Sequence, residues 1–249
     1  VNQFKLKVVA AFLPGCFAVC GVEAEPLSLG ASVIYAQSPY RGGQDRYLPV
    51  PVINYEGEKF WLRSLQGGYY LWKDSQNRLS LTLSGSPQQY DPDDNDLGDM
   101  KELDKRRMTL MGGVSYRHEA EWGILRTGLL GDVLNNSNGI VWDLAWLYRL
   151  DFGQFSVTPG IGATWNSANQ NRYYYGVSGH EAARTGIRGY RPDDSWSPYV
   201  ELSVNYRINA QWNASLIGRY TRFDDEIKDS PMVDKSGQTA LWTGISYSF

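Results

Sequence analysis

Apolar and polar residues alternate with a period of two along much of the chain, the signal of strands that bury one face. Near the C-terminus, Leu241, Thr243, Ile245, Tyr247 and Phe249 interleave with Ala240, Trp242, Gly244, Ser246 and Ser248. In 199–208, Val200, Leu202, Val204, Tyr206 and Ile208 form one row, and Glu201, Ser203, Asn205 and Arg207 form the other. The clearest stretch is 140–152, where Ile140, Trp142, Leu144, Trp146, Tyr148, Leu150 and Phe152 oppose Asp143, Ala145, Arg149 and Asp151. Weaker versions occupy 27–35, 79–83, 108–116, 125–133, 155–165 and 214–220.

These rows run about 9–13 residues, against about 5–6 for strands of soluble proteins. Their apolar faces end in Trp and Tyr, whose polar tips belong at the headgroups when a row crosses a bilayer. Short turns at 54–59, 119–123 and 209–212 alternate with long polar loops at 37–48, 88–107, 166–195 and 224–238. An extension of the preceding strand into 166–175 stays open. The pattern predicts an all-β protein, a transmembrane antiparallel up-and-down β-barrel. The strand number depends on 60–72. With a turn at Gln66-Gly67-Gly68 the count is twelve; read as one bulged strand, it is eleven or ten. Bacterial barrels have even numbers, and twelve is preferred. A soluble sandwich or lipocalin-like barrel is the competing architecture.

Composition fits this picture. Aromatic content is 14%, with nine Trp and seventeen Tyr. A mean hydropathy of −0.42 is too polar for a helical membrane protein but ordinary for a barrel, which turns alternate residues to lipid and lumen. A net charge of −3 gives no reason to expect nucleic acid as a partner. Residues 1–24 read as a signal peptide: Lys5 and Lys7, an apolar run from Val8 to about Val19, then Val22-Glu23-Ala24 as a cleavage site. The barrel then occupies 25–249. Cys16 and Cys20 both fall in the leader, so the mature chain has no disulfide framework. Leu13-Pro14-Gly15-Cys16 loosely matches a lipoprotein box, but the Pro and the short run before it argue against lipidation.

Candidate chemistry is sparse. His118 and His180 are the two histidines, and no G-x-S-x-G elbow, Walker loop or H-E-x-x-H occurs. No enzyme and no cofactor is expected. Asp91, Asp93, Asn95, Asp99 and Glu102 fall at positions 1, 3, 5, 9 and 12 of a calcium-loop pattern, with Asp96 where Gly should make the sharp turn. A solvated acidic loop is the simpler reading. Arg126, Asp132, Asp143, Arg149, Glu201, Arg207 and Arg219 fall on the inward rows and suit a side-chain plug or a narrow lumen.

Several strings then point to a family. They include Pro49-Val50-Pro51-Val52-Ile53-Asn54-Tyr55-Glu56-Gly57, Gly67-Gly68-Tyr69-Tyr70-Leu71-Trp72 and Asn135-Asn136-Ser137-Asn138-Gly139-Ile140-Val141-Trp142-Asp143. Thr158-Pro159-Gly160-Ile161-Gly162, Tyr173-Tyr174-Tyr175-Gly176-Val177, Arg188-Gly189-Tyr190 and Asp193-Asp194-Ser195-Trp196-Ser197-Pro198-Tyr199 follow, with Asp229-Ser230-Pro231-Met232-Val233-Asp234-Lys235-Ser236 after them. Together these resemble the MipA/OmpV family of outer-membrane proteins over essentially the whole mature chain. The resemblance implies a scaffold in the Gram-negative outer membrane. It would link a lytic transglycosylase of the MltA type to a bifunctional penicillin-binding protein in peptidoglycan synthesis. Porin-like and adhesin roles also occur in the family, so the fold alone does not settle the role. The resemblance identifies no partner-binding residue. Leu241, Ile245, Tyr247 and Phe249 resemble the terminal signal read by the barrel-assembly machinery, which with outer-membrane lipid completes the expected partners.

Overall fold

The computed structural model describes residues 27–249, so the expected leader with Cys16 and Cys20 lies outside the described residues. The strands are β1 (Leu27–Ala36), β2 (Arg46–Glu56), β3 (Phe60–Arg63), β4 (Gln66–Lys73) and β5 (Asn77–Ser86). They continue as β6 (Thr109–Ala120), β7 (Gly123–Asp132), β8 (Ile140–Leu147), β9 (Leu150–Phe152) and β10 (Phe155–Asn166). The last three are β11 (Ser195–Arg207), β12 (Trp212–Arg222) and β13 (Gly237–Ser248). Each pairs antiparallel with its sequence neighbour, and β13 returns to β1 from Ser28↔Ser248 to Ala36↔Ala240, which closes the sheet. β8 and β9 both pair with β10 and form one interrupted strand, joined where the Tyr148 N–H donates to Pro159 C=O at 3.0 Å. The wall is therefore a closed 12-strand barrel. Closure leaves no free backbone at the seam between first and last strands, as a bilayer demands.

The turn that makes this count lies at Ser64–Leu65, not at Gln66-Gly67-Gly68. The two glycines are inside β4, and the reason is packing. A Cβ on Gly68 would sit 2.5 Å from Trp61 Nε1, so the glycine makes room for the indole that covers it. The extension left open at 166–175 stops at Asn166, the last residue of β10; beyond it the chain forms α2 (Ala168–Tyr175), whose N-cap Ser167 accepts from Gln170 N–H.

Outward rows are apolar, with Leu81, Leu83, Leu129, Leu144, Ile161, Val200, Leu202 and Leu216 exposed. Aromatics ring both ends of this band. Tyr35–Tyr47 and Trp142–Trp196 pack near the long-loop end, at 5.2 and 5.4 Å between centroids. Phe60–Tyr69, Phe155–Tyr206 and Trp212–Tyr247 pack near the short-turn end, at 5.0, 4.5 and 5.2 Å. These are the two girdles of a membrane barrel.

The long loops fold instead of waving. They carry α1 (Gly98–Lys101), α2, α3 (Gly179–Thr185) and α4 (Asp225–Lys228). Tyr40, Tyr90, Met100, Tyr174, Ile227 and Met232, drawn from four loops, meet in one buried core. This makes a cap with its own hydrophobic centre over the long-loop mouth.

Candidate functional site

Two buried assemblies stand inside the barrel and over its mouth, a polar network on the inner wall, here called the plug, and the cap above it. The plug follows from alternation: Arg126 of β7, Asp143 of β8, Tyr199 and Glu201 of β11, and Arg219 of β12 all project from inward rows. All are at most 7% exposed. Arg126 holds Glu201 bidentately, Nη1–Oε1 at 3.2 Å and Nη2–Oε2 at 3.1 Å. Arg219 takes the same carboxylate from the other side, Nη2–Oε2 at 2.5 Å and Nε–Oε2 at 3.1 Å. Its guanidinium also lies 3.9 Å from the centroid of the Tyr199 ring. The Tyr199 hydroxyl donates to Asp143 at 3.0 Å, and Thr164 donates to that carboxylate at 3.1 Å. A Cβ on Gly162 would meet the Tyr199 ring at 2.4 Å, so glycine lets the ring cross β10.

Two arginines against Glu201 and Asp143 leave the plug electrically neutral. Buried charges persist when they are paired and hydrogen-bonded, and removing one partner strands the other. The network therefore staples β7, β8, β11 and β12, which with β10 form one continuous arc of the wall. It offers an ion no uncompensated charge.

The cap is locked by a second buried pair. Arg106 Nη2 meets Glu181 Oε1 at 2.6 Å and donates to Gly176 C=O at 3.1 Å. Glu181 also closes the capping box of α3, accepting from the Ser178 N–H at 2.9 Å while Ser178 Oγ accepts from its own N–H. Burial pushes the Glu181 carboxyl up, but Ser178 and Arg106 more than offset this and hold it below the ordinary carboxylate value. Asp45 behaves alike: burial raises it, while Tyr35, the Ser38 N–H and Lys235 bring it lower. Between cap and plug lies a cavity of about 110 Å³, bounded below by Arg219 and Asn166 and above by Tyr40, Gln88 and Tyr175.

Four of the seven inward candidates, Arg126, Asp143, Glu201 and Arg219, thus come together. The other three do not join them. Asp132 sits at the end of β7 and accepts from Thr109 and from the N–H groups of Leu134, Ser137 and Asn138, anchoring the 133–139 loop. Arg149 pairs with Asp151 at 2.9 Å near the short-turn mouth, and Arg207 is exposed at the end of β11.

The calcium-loop candidates do not converge either. Asp91 binds Lys105 at 2.6 Å and Asp99 binds Arg41 at 2.6 Å. Asp93 is exposed, Asn95 donates to Arg41 C=O, and Glu102 gives its C=O to Arg184. Among the described residues no group of three or more His, Cys, Asp or Glu side chains could hold a metal. The acidic run is instead a strap tied down by arginines. His118 hydrogen-bonds Asn77 at 2.9 Å, and His180 is exposed on α3. Tyr199, Arg106 and Glu181 escaped the sequence reading; only the Ser178-x-x-Glu181 capping box carried a local signal for one of them.

The chain matches the family model described as MltA-interacting protein MipA over residues 29–249. It is 50% identical to the MltA-interacting protein of Escherichia coli strain K12 over 249 residues, 100% of both chains. It is 39% identical to the putative outer membrane protein YiaT of that strain, covering 93% of this chain and 94% of the relative. Outer membrane protein OmpV of Vibrio cholerae is 28% identical, over 69% of this chain and 65% of the relative. Closed barrel, aromatic girdles and whole-chain matches agree: the chain belongs to the MltA-interacting protein MipA family and is a β-barrel of the Gram-negative outer membrane.

Proposed function

We propose that this barrel is a non-enzymatic scaffold that binds a lytic transglycosylase of the MltA type together with a bifunctional penicillin-binding protein. It would thereby couple cutting of the wall to its synthesis. The observation that supports the reading is the buried charged network on the inner wall beneath a packed cap. With Arg126–Glu201–Arg219 inside and the Arg106–Glu181 lock above, a barrel of this width works through its surfaces. The name of the 50% identical relative supplies the first partner, and the family resemblance supplies the second.

Holding two enzymes at one place raises their effective concentration without any new bond chemistry. A standard interface needs about 800 Å² per partner, more than one β-turn offers. The short-turn end, which faces the periplasm in barrels of this kind, carries several turns around a charged rim. There Glu56 meets Arg63 and Lys73 at 3.1 and 2.8 Å, and Glu119 meets Arg78 and Arg117 at 3.3 and 2.7 Å. Trp122 projects from the turn between β6 and β7, 53% exposed.

The test immobilises the folded barrel and passes periplasmic extract over it, with photo-crosslinkers at Glu58 or Trp122 set against others at Arg184 or Asp229. The proposal expects both enzymes to be retained and the transglycosylase to crosslink from the turns. Retention of neither enzyme, or crosslinks from the cap alone, contradicts it. Retention of the transglycosylase without the synthase contradicts the coupling role.

A further inference from the structure

The barrel wall has a gap. β3 turns at Ser64–Leu65 after four residues, so it pairs only with Asn54, Tyr55 and Glu56 of β2. β2 continues past that turn from Val52 to Arg46, held along one edge by β1. Among the described residues no strand pairs with its other edge there. Across the gap, β5 extends past Ser84, the partner of Gln66, only through Gly85 and Ser86.

The sequence of β2 suits this exposure. Ser64 N–H donates to Ile53 C=O at 2.7 Å, so Ile53 turns its backbone groups towards β3. Residues two apart in a strand present their backbone groups to the same side. Tyr47, Pro49 and Pro51 therefore face the gap. Pro49 and Pro51 have no N–H, so these two positions of the edge present no backbone donor to hydrocarbon. Proline is confined to such edges and refuses a partner strand, which argues against β-augmentation here.

Behind the gap the lumen is apolar. Leu48, Val50 and Val52 of β2 pack with Ile34, Ile217 and Trp242, and Leu65 joins them from the hairpin tip. On β5, by contrast, the inner face is Ser80, Thr82 and Ser84. The gap runs from Val52 to Tyr47, about 17 Å along the strand. Tyr47 packs on Tyr35 in the girdle at the long-loop end, so the gap lies in the outer half of the apolar band. Its upper corner holds Arg46, tied to Asp94 of the strap by a 3.3 Å contact. Arg46, Ile34 and Trp242 also line the cavity beneath the cap.

We propose that this gap is a lateral portal, through which an acyl chain of an outer-leaflet amphiphile reaches the apolar patch in the lumen. The medium at that depth is acyl chain, and the prolines exclude a strand.

The experiment reconstitutes the folded barrel into phosphatidylglycerol vesicles whose acyl chains carry a mid-chain diazirine, photolyses them and maps labelled residues by mass spectrometry. Labelling of inward-facing Val50, Val52 or Leu65 is expected alongside outward-facing Leu29 and Leu83. Val50→Trp, which fills the lumen behind the gap, should cut the inward labelling at Val52 and Leu65 by about tenfold or more, a 1.4 kcal/mol loss of occupancy, and leave Leu83 labelling unchanged. Lengthening the β3–β4 hairpin by two residues on each strand, together with Pro49→Thr and Pro51→Thr to restore the N–H groups a partner strand needs, should do the same by supplying the missing wall, and covers the case in which Val50→Trp fails to fold. Background labelling at all three inward positions in the unaltered barrel, with Leu29 and Leu83 labelled, overturns the portal. Inward labelling that survives in a folded variant with the gap closed also overturns it.

Discussion

Glu201 is the residue on which the plug turns, because one carboxylate neutralises Arg126 and Arg219 together. Glu201→Gln keeps the shape but leaves two guanidiniums crowded without their shared partner, an expected loss of about 3–5 kcal/mol. A lower urea midpoint for the barrel refolded in micelles would register it; an unchanged midpoint would refute the account of the plug. In the cap, Glu181 sets a pH dependence. Its carboxyl is held below the ordinary 4.5, so the lock contributes fully above that value and is lost as pH falls through the lowered one. A fluorophore on His180→Cys should report α3 loosening only on the acid side of 4.5, and Glu181→Gln should abolish the step. The inward set was legible at this scale because alternation fixes which side a residue faces. It does not fix depth: Asp132, Arg149 and Arg207 share the inward phase, yet lie at strand ends. Tyr199 carried no signal, since an aromatic on an inner row looks the same whether it plugs a lumen or faces water.

The long alternating rows were readable in position, because lipid on one face forces a strict period. Their ends were read short: 79–83 became Asn77–Ser86, 108–116 became Thr109–Ala120, and β2 begins inside the stretch read as the 37–48 loop. The β3–β4 turn was misplaced by the assumption that paired glycines mark turns, whereas Gly68 serves the Trp61 indole. The cap helices were invisible for another reason. α2, Ala-Asn-Gln-Asn-Arg-Tyr-Tyr-Tyr, buries Gln170 and Asn171 as well as Tyr174 and Tyr175, so no apolar stripe announces it. Its partners come from other loops. The last strand permits a test that separates stability from delivery. Phe249 lies beyond the β13–β1 register, with its N–H on Leu27 C=O at 3.2 Å and its ring 5.0 Å from Tyr247. Deleting it should change the stability of the refolded barrel by about 0.5 kcal/mol or less. If the terminus is the assembly signal, insertion by purified barrel-assembly machinery should slow severalfold, and an unchanged rate would remove Phe249 from that signal.

Taken whole, the molecule is a barrel with a packed cap and a buried charged network on its inner wall, and its proposed work is done at its two ends and through one side. The cap core joins residues as far apart in sequence as Tyr40 and Met232, so the lid is held by tertiary packing and is not a set of independent loops. The plug joins four strands below it. A scaffold needs such rigidity, and a channel would need both barriers removed. Planar-bilayer recording from the folded, unaltered barrel tests this most directly. The account predicts no steady conductance, and its appearance only when deletion of 176–190 is combined with Glu201→Ala and Arg219→Ala. A steady ohmic current through the unaltered protein that changes with Arg219→Ala would contradict it.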